Sequence, residues 1–270
     1  MPFTLAHAAA ALPFRKLKPV WPALVIGTFA PDLQYFIWIS DEDRSGHRFP
    51  DLALVTLPLA LILLWVFEKY VKGPAIELLP SVVQRRLQNK LEPLLFRGWK
   101  RLASIVLWMA IGIATHVFWD SFSHSHTWPA EHWSLLWYEV SVPFHSPVPL
   151  LKLLQYISTF LGLLILGTWF LVWYREAIPV PRASLRELSP LRKLATVLIM
   201  TSVAVLAGYP LAIFQLADRR IPIKPIFFAV TVFEAITLVF CVQLLAYSLA
   251  RLYATRSRRR PAVRMDEQHG

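Results

Sequence analysis

The chain has 270 residues, of which 56% are hydrophobic and only 17% charged, with a mean hydropathy of +0.48. An ordinary soluble domain is about 45–50% apolar and about 25% charged, with polar residues interleaved, so this balance excludes a soluble globular chain and points to a membrane protein. The formal net charge of +11 leaves nucleic acid, anionic lipid or membrane topology as the meaning of the basic residues. Their placement, given below, decides for topology and against nucleic acid as a partner.

The opening MPFTLAHAAAALPFRKLK puts its basic residues after the apolar stretch, the reverse of the secretory signal order. It reads as an Ala-rich helical start carrying His7. Residues 19–40 are apolar except for Asp32, and Pro19, Pro22 and Pro31 interrupt them. The stretch DEDRSGHRFPD, with His47, is a polar loop. Apolar runs follow at 52–67 (with Pro58), 102–119, 154–174, 194–217 and 226–250, the last containing Glu234. A helix of about 20 apolar residues crosses a bilayer. The expected fold is therefore an all-α polytopic membrane protein with about six transmembrane or re-entrant helices, in which 19–40 is the irregular one. Cys241, the single cysteine, lies in an apolar run, so no disulfide or cysteine zinc site forms within the chain.

Segment 69–101 holds Lys69, Lys72, Arg85, Arg86, Lys90, Arg97, Lys100 and Arg101, and segment 175–193 holds Arg175, Arg182, Arg186, Arg192 and Lys193. The tail adds Arg251, Arg256, Arg258, Arg259, Arg260 and Arg264, whereas 120–153 has only Lys152. Alternate basic loops predict a cytoplasmic C-terminus in the cell inner or plasma membrane, with 40–50 and 120–153 outside. The short loop 217–225, with Arg219, Arg220 and Lys224, departs from that alternation. The stretch RSRRRPAVRMDEQHG at the end is polar and reads as disordered.

Seven of the eight histidines lie before residue 150: His7, His47, His116, His124, His126, His132 and His145. The chain thus divides into a histidine-rich front half, 1–150, three transmembrane helices in 151–250, and a basic tail, 251–270. THVFWDSFSHSH, residues 115–126, is the most informative segment. Residues four apart share a helix face, so His116, Asp120 and His124 form one stripe if the helix continues past Asp120. Two imidazoles and a carboxylate suit zinc or another divalent metal. The bland reading is a helix end whose histidines meet water or headgroups. Asp32, inside an apolar stretch, needs a cation, a metal or water, or else caps a helix after Pro31. Taken singly, His47 reads as a solvated loop residue and His7 as a structural or surface one. Glu234 is either a coupling acid or hydrogen-bonded to a neighbouring helix. Trp128, Trp133, Trp137 and Tyr138 read as an interfacial aromatic belt. Gly-rich phosphate loops and G-x-S-x-G elbows are absent.

The MPFTLAHAAAALP start, the APD at 30–32, the His47 loop, THVFWDSFSH at 115–124 and LQYISTFLG at 154–162 occur in that order. Together they resemble an uncharacterised family of bacterial membrane proteins, a domain of unknown function, whose members start MPFT-x-x-HAAA and carry H-x-x-W-D-x-F-T-H. Ser123 stands here in place of that Thr. The resemblance spans at least residues 1–165. More distantly, the order is similar to membrane-bound metal-dependent hydrolases and to zinc-dependent phospholipase C. That likeness implies a metal site at His7, Asp32, His47, His116 and Asp120, with His124 or His126 next. The phospholipases also use H-x-x-x-E, and no histidine here has Glu four residues on, so one or two metals are implied rather than three.

The expected function is a metal-dependent hydrolase at the membrane interface. His116, Asp120 and His124 are its helix ligands, and His47 and Asp32 complete the site. An unused carboxylate, Asp32 itself, would act as base. Zinc is the favoured ion, and the distant resemblance implies a lipid or other phosphoester substrate. The alternative is a transporter or scaffold with Glu234 and Asp32 as coupling or packing acids. The sequence carries no signal of oligomeric state. If 19–40 crosses fully, His7 begins on the side opposite His116. A site that contains His7 therefore requires a broken or re-entrant N-terminal segment, which the prolines permit.

Overall fold

A computed structural model describes residues 4–17, 20–38, 49–87, 94, 96–142, 146–180, 188–217 and 225–259. Apolar composition and length produce the helices α1 (Trp21–Gly27), α2 (Leu33–Trp38), α3 (Leu52–Leu78), α4 (Ser81–Leu87) and α5 (Trp99–Asp120). They are followed by α6 (Trp128–His132), a two-residue antiparallel pair β1 (Glu139–Val140) and β2 (Val148–Pro149), α7 (Leu150–Glu176), α8 (Pro190–Leu216) and α9 (Pro225–Arg259). Thr4–Phe14 is a 3₁₀ helix, as is the short turn Ala30–Asp32. The protein is an all-α polytopic membrane protein. Among the described residues, five helices are long and apolar enough to cross a bilayer: α3, α5, α7, α8 and Phe228–Thr255 of α9.

The expected irregular segment, 19–40, is not one helix. Its described part, from residue 20 to 38, holds α1, the 3₁₀ turn and α2 in succession. Seven residues of α1 rise about 10 Å, well short of a bilayer core of about 30 Å. Pro31, which lacks an N–H, stands in the turn between α1 and α2. Two other helices outrun their apolar runs. α3 continues past Lys69 and Lys72, where Lys72 Nζ meets Glu68 Oε2 one turn back at 2.9 Å. α9 continues through Arg251 to Arg259, just before Pro261. Residues 260–270, most of the expected disordered tail, lie outside the described residues.

The chain forms two units, Met1–Trp65 with Leu94–Ala177, and Val66–Pro93 with Ile178–Gly270. In the first, Ala23, Ala30, Ala60, Leu64, Leu94, Ile105, Met109 and Ile113 make the core. α1 packs on α5 through Gly27 and Gly112, where a Cβ on either would overlap the other helix's backbone. Such close backbone approach between helices needs small residues. The 3₁₀ helix Thr4–Phe14 lies against α7, with Ala6 over Gly162. Only 6% of α7's most apolar window is buried, and Phe160 and Leu164 are exposed, so most of this apolar helix is left uncovered by the chain.

In the second unit α8 and α9 pack along their length, with Gly208 against Ile236 and Gln243 Nε2 donating to the Met200 carbonyl at 3.2 Å. Polar bonds tie α8 and α9 to the end of α3 and to α4. Buried Lys193 Nζ donates to the Leu79 carbonyl, Gln84 Oε1 and Ser81 Oγ at 2.9, 2.7 and 3.3 Å. Arg251 donates through Nε and Nη2 to Glu77 Oε2 at 3.2 and 2.6 Å.

The contact between α1 and α5 generates a prediction. Gly112→Leu should lower the unfolding temperature of the detergent-purified protein by an amount equivalent to about 1–3 kcal/mol, the usual range for overpacking. Gly167→Leu on α7, where an added Cβ meets nothing within 4 Å, should leave the temperature unchanged. Equal temperatures for the two variants would remove this contact from the account.

Candidate metal centre

α5 ends at Asp120, so His116 and Asp120 occupy its last two turns on one face. The Asp120 carbonyl then accepts from the backbone N–H groups of Ser123 and His124, both at 3.1 Å. Residues 121–123 form a turn, so the regular helix does not continue to His124. Instead the turn folds His124 back, and its Nδ1 donates to the same carbonyl at 2.9 Å.

Three elements of the first unit meet at this helix end. The N-terminal 3₁₀ helix brings His7, whose Nε2 stands 3.3 Å from Asp120 Oδ1 and whose ring stacks on that of His116 with centroids 4.0 Å apart. The turn between α1 and α2 brings Asp32, whose Oδ1 is 3.5 Å from His116 Nε2. His116 Nε2 is also 3.3 Å from Asp120 Oδ2. All four side chains are buried, His116 and Asp32 completely. The break between α1 and α2 thus does what a straight crossing of 19–40 would forbid: it lets His7 and Asp32 reach the same end of α5.

The hydrogen bonds around the cluster orient it. His116 Nδ1 lies 2.8 Å from the Thr28 carbonyl. A carbonyl only accepts, so Nδ1 carries a proton and Nε2 is the atom aimed at the two carboxylates. Thr4 Oγ1 donates to Asp32 Oδ2 at 2.7 Å, which turns Oδ1 toward His116.

His7, His116 and Asp120 each offer a ligand atom within 4.8 Å of the others. Atoms bound to one zinc at about 2.0–2.1 Å in a tetrahedron stand about 3.3 Å apart. Two separations in the cluster are of that size, His7 Nε2 to Asp120 Oδ1 and His116 Nε2 to Asp120 Oδ2, each 3.3 Å and each to a different oxygen of Asp120. They are longer than the roughly 2.7–2.9 Å of a charge-assisted N–H···O bond. His7 Nε2 makes no hydrogen bond among the described residues. Two carboxylates and two imidazoles gathered in a buried place make a donor set that suits one divalent cation. The donor chemistry and the gathering of one ligand atom from each of the three residues within 4.8 Å fit a divalent metal, and Asp32 flanks the three-atom group.

The remaining sequence-predicted ligands differ. His124 Nδ1 is 3.7 Å from Asp120 Oδ2 but is occupied by the Asp120 carbonyl, and 32% of its side chain is exposed. His124 thus stands at the edge of the cluster. His47 lies outside the described residues, and His126 is exposed.

A family model covers almost the whole chain, residues 1–249. The chain belongs to the family described as a domain of unknown function, DUF4184. No curated protein and no solved structure matches it.

Within this DUF4184 chain, sequence reasoning missed two partners of the cluster. Thr4 carries a signal in hindsight, since it stands three residues before His7 in the MPFT opening. The Thr28 carbonyl carries none, because any residue supplies one. The geometry ranks the histidines. His7→Ala should weaken cobalt or zinc binding by about 10-fold or more, and Thr4→Val, which frees Asp32, by about 10-fold, as loss of an outer hydrogen bond commonly does. His124→Ala should cost less than either. Competition with a chromophoric chelator measures all three, and a greater loss in His124→Ala than in His7→Ala would reverse the assignment.

Proposed function

We propose that the chain is a metal-dependent hydrolase working at a membrane surface. Zinc is the favoured ion, and a lipid or other membrane-associated phosphoester the substrate class. The observation that carries this reading is the convergence of buried His7, His116 and Asp120, with Asp32 alongside, at the end of an apolar helix of membrane-spanning length. Beside the bonds from Thr4 to Asp32 and from His116 to the Thr28 carbonyl, His7 Nε2 makes no hydrogen bond among the described residues, which supports its reading as a ligand atom.

In this reading His7, His116 and Asp120 hold the cation, and the Thr28 carbonyl keeps His116 in the tautomer that can bind it. The bound cation supplies an acidified water and a polarising centre for a phosphoryl or acyl oxygen. Asp32, fixed by Thr4, takes the proton of the attacking water through Oδ1. His124, at the rim and partly exposed, is placed to meet a substrate headgroup. Exposed Trp128, Trp133 and Trp137, a few residues beyond the cluster, suit the headgroup layer where a lipid substrate would be met. The positive-inside pattern supports a multi-pass protein of the inner or plasma membrane, with a cytoplasmic C-terminus and the cluster facing outward.

Protein stripped by a chelator should hydrolyse a fluorogenic phospholipid or phosphodiester only after zinc is restored. Asp32→Asn should lower kcat by about 100-fold or more, as loss of a general base does, while keeping its metal. Hydrolysis by stripped protein, or full activity in Asp32→Asn, would contradict this reading. Topology has its own check. Alkaline phosphatase fused after Gly270 should be inactive in cells and green fluorescent protein there should be bright; the reverse result would turn the orientation over.

A further inference from the structure

The second unit carries a groove of about 330 Å³ between α8 and α9, lined by Arg192, Ala195, Thr196, Ile199, Tyr247 and Arg251 among others. We infer that this groove binds an anionic phospholipid, its headgroup phosphate held by Arg192 and Arg251 and its acyl chain lying on Ala195 and Ile199. The site is separate from the histidine cluster and does not depend on the hydrolase reading.

The lining is graded from charged to apolar. Arg192 is the third residue of α8, and Ile199 stands seven residues on, about 10 Å further along the helix. Arg251 belongs to the last part of the apolar span of α9, with Tyr247 one turn before it. Guanidinium groups and hydroxyls thus gather at one end of the groove, and small and branched apolar side chains fill the other. A free anion would use only the first part. An amphiphile with a phosphate head uses both.

Charge balance points the same way. The side chain of Arg251 is paired with Glu77, so that pair is neutral. Glu77 takes two of the five guanidinium N–H donors and Tyr247 also bonds the guanidinium, which leaves donors for a further acceptor. The described partners of buried Lys193 are all uncharged: the Leu79 carbonyl, Ser81 Oγ and Gln84 Oε1. Arg192 is exposed, and no acceptor meets its side chain among the described residues. Among the described residues, Arg192 and Lys193 leave positive charge at the start of α8. Basic pockets between transmembrane helices recognise anionic headgroups for this reason. The positive-inside rule accounts for arginines near a helix end, but it does not require two of them, on different helices, to line one groove with Thr196 and Tyr247.

The full chain is reconstituted in phosphatidylcholine nanodiscs with and without phosphatidylglycerol, then moved to detergent, and retained lipid is counted by native mass spectrometry. Wild type should retain phosphatidylglycerol over phosphatidylcholine by about 10-fold, the scale of one charge-assisted hydrogen bond. Arg192→Gln should lose that preference while melting like wild type in phosphatidylcholine alone. Arg175→Gln, which removes a basic residue from the other unit, should keep it. Thr196→Leu, which fills the groove and leaves both arginines, should also lose it and covers the case in which Arg192→Gln does not fold. Equal preference in wild type, Arg192→Gln and Thr196→Leu would overturn the proposal. So would displacement of the lipid by inorganic phosphate or glycerol phosphate at equal concentration, since the apolar half would then contribute nothing.

Discussion

The Thr28 carbonyl is the contact on which the rest of the histidine cluster turns. By accepting from His116 Nδ1 at 2.8 Å it leaves Nε2 facing Asp32 and Asp120. That bond forms only because the backbone of α1 comes close to α5, and the close approach exists only because Gly27 and Gly112 have no Cβ to prevent it. The chain from glycine pair to helix contact to tautomer to ligand geometry is short, and each link is a separate physical requirement. α1 must also stop where it does. Were it to continue as a straight span, Asp32 would be carried away from the end of α5.

The cost of burying charge explains why these side chains are gathered rather than dispersed. An isolated carboxylate in an apolar region is expensive, and Asp32 is wholly buried. Its burial is tolerable because Thr4 donates to one oxygen and the imidazole of His116 stands beside the other. Asp120, buried at the C-terminal end of α5 where the helix dipole disfavours a carboxylate, has the imidazoles of His7 and His116 beside its two oxygens. The same logic in the second unit gives the opposite sign. Lys193 is buried on neutral acceptors, and Arg251 is balanced by Glu77. Histidines and carboxylates dominate the cluster of one unit and basic groups the polar contacts of the other, so the two present different chemistry to a membrane.

Much of the architecture is legible in the sequence because lipid imposes a simple rule: long uncharged runs become helices. The runs at 102–119, 154–174 and 194–217 correspond to α5, α7 and α8 with modest changes at the ends. Boundaries fail where charge does not end a helix, as at Lys69 and Lys72 in α3 and Arg251 in α9. A helix stops at a break in hydrogen bonding, not at a change in polarity. For the cluster, the H-x-x-x-D spacing reads directly as two residues on one face, and the gathering of His7 and Asp32 around them was expected from resemblance. The stripe through His124 does not read so directly, because its periodicity assumes a helix that ends at Asp120. Thr4 and the Thr28 carbonyl are tertiary partners, and no local pattern marks them.

The central claim is that His7, His116 and Asp120 hold a divalent metal, and elemental mass spectrometry of the detergent-purified protein tests it most directly. Wild type should carry zinc, or manganese or iron in its place, at near one equivalent or more, and the double variant His116→Ala/Asp120→Ala should carry none while remaining folded. Metal-free wild type that stays metal-free after incubation with those ions, or a double variant that keeps its full complement, would contradict the account.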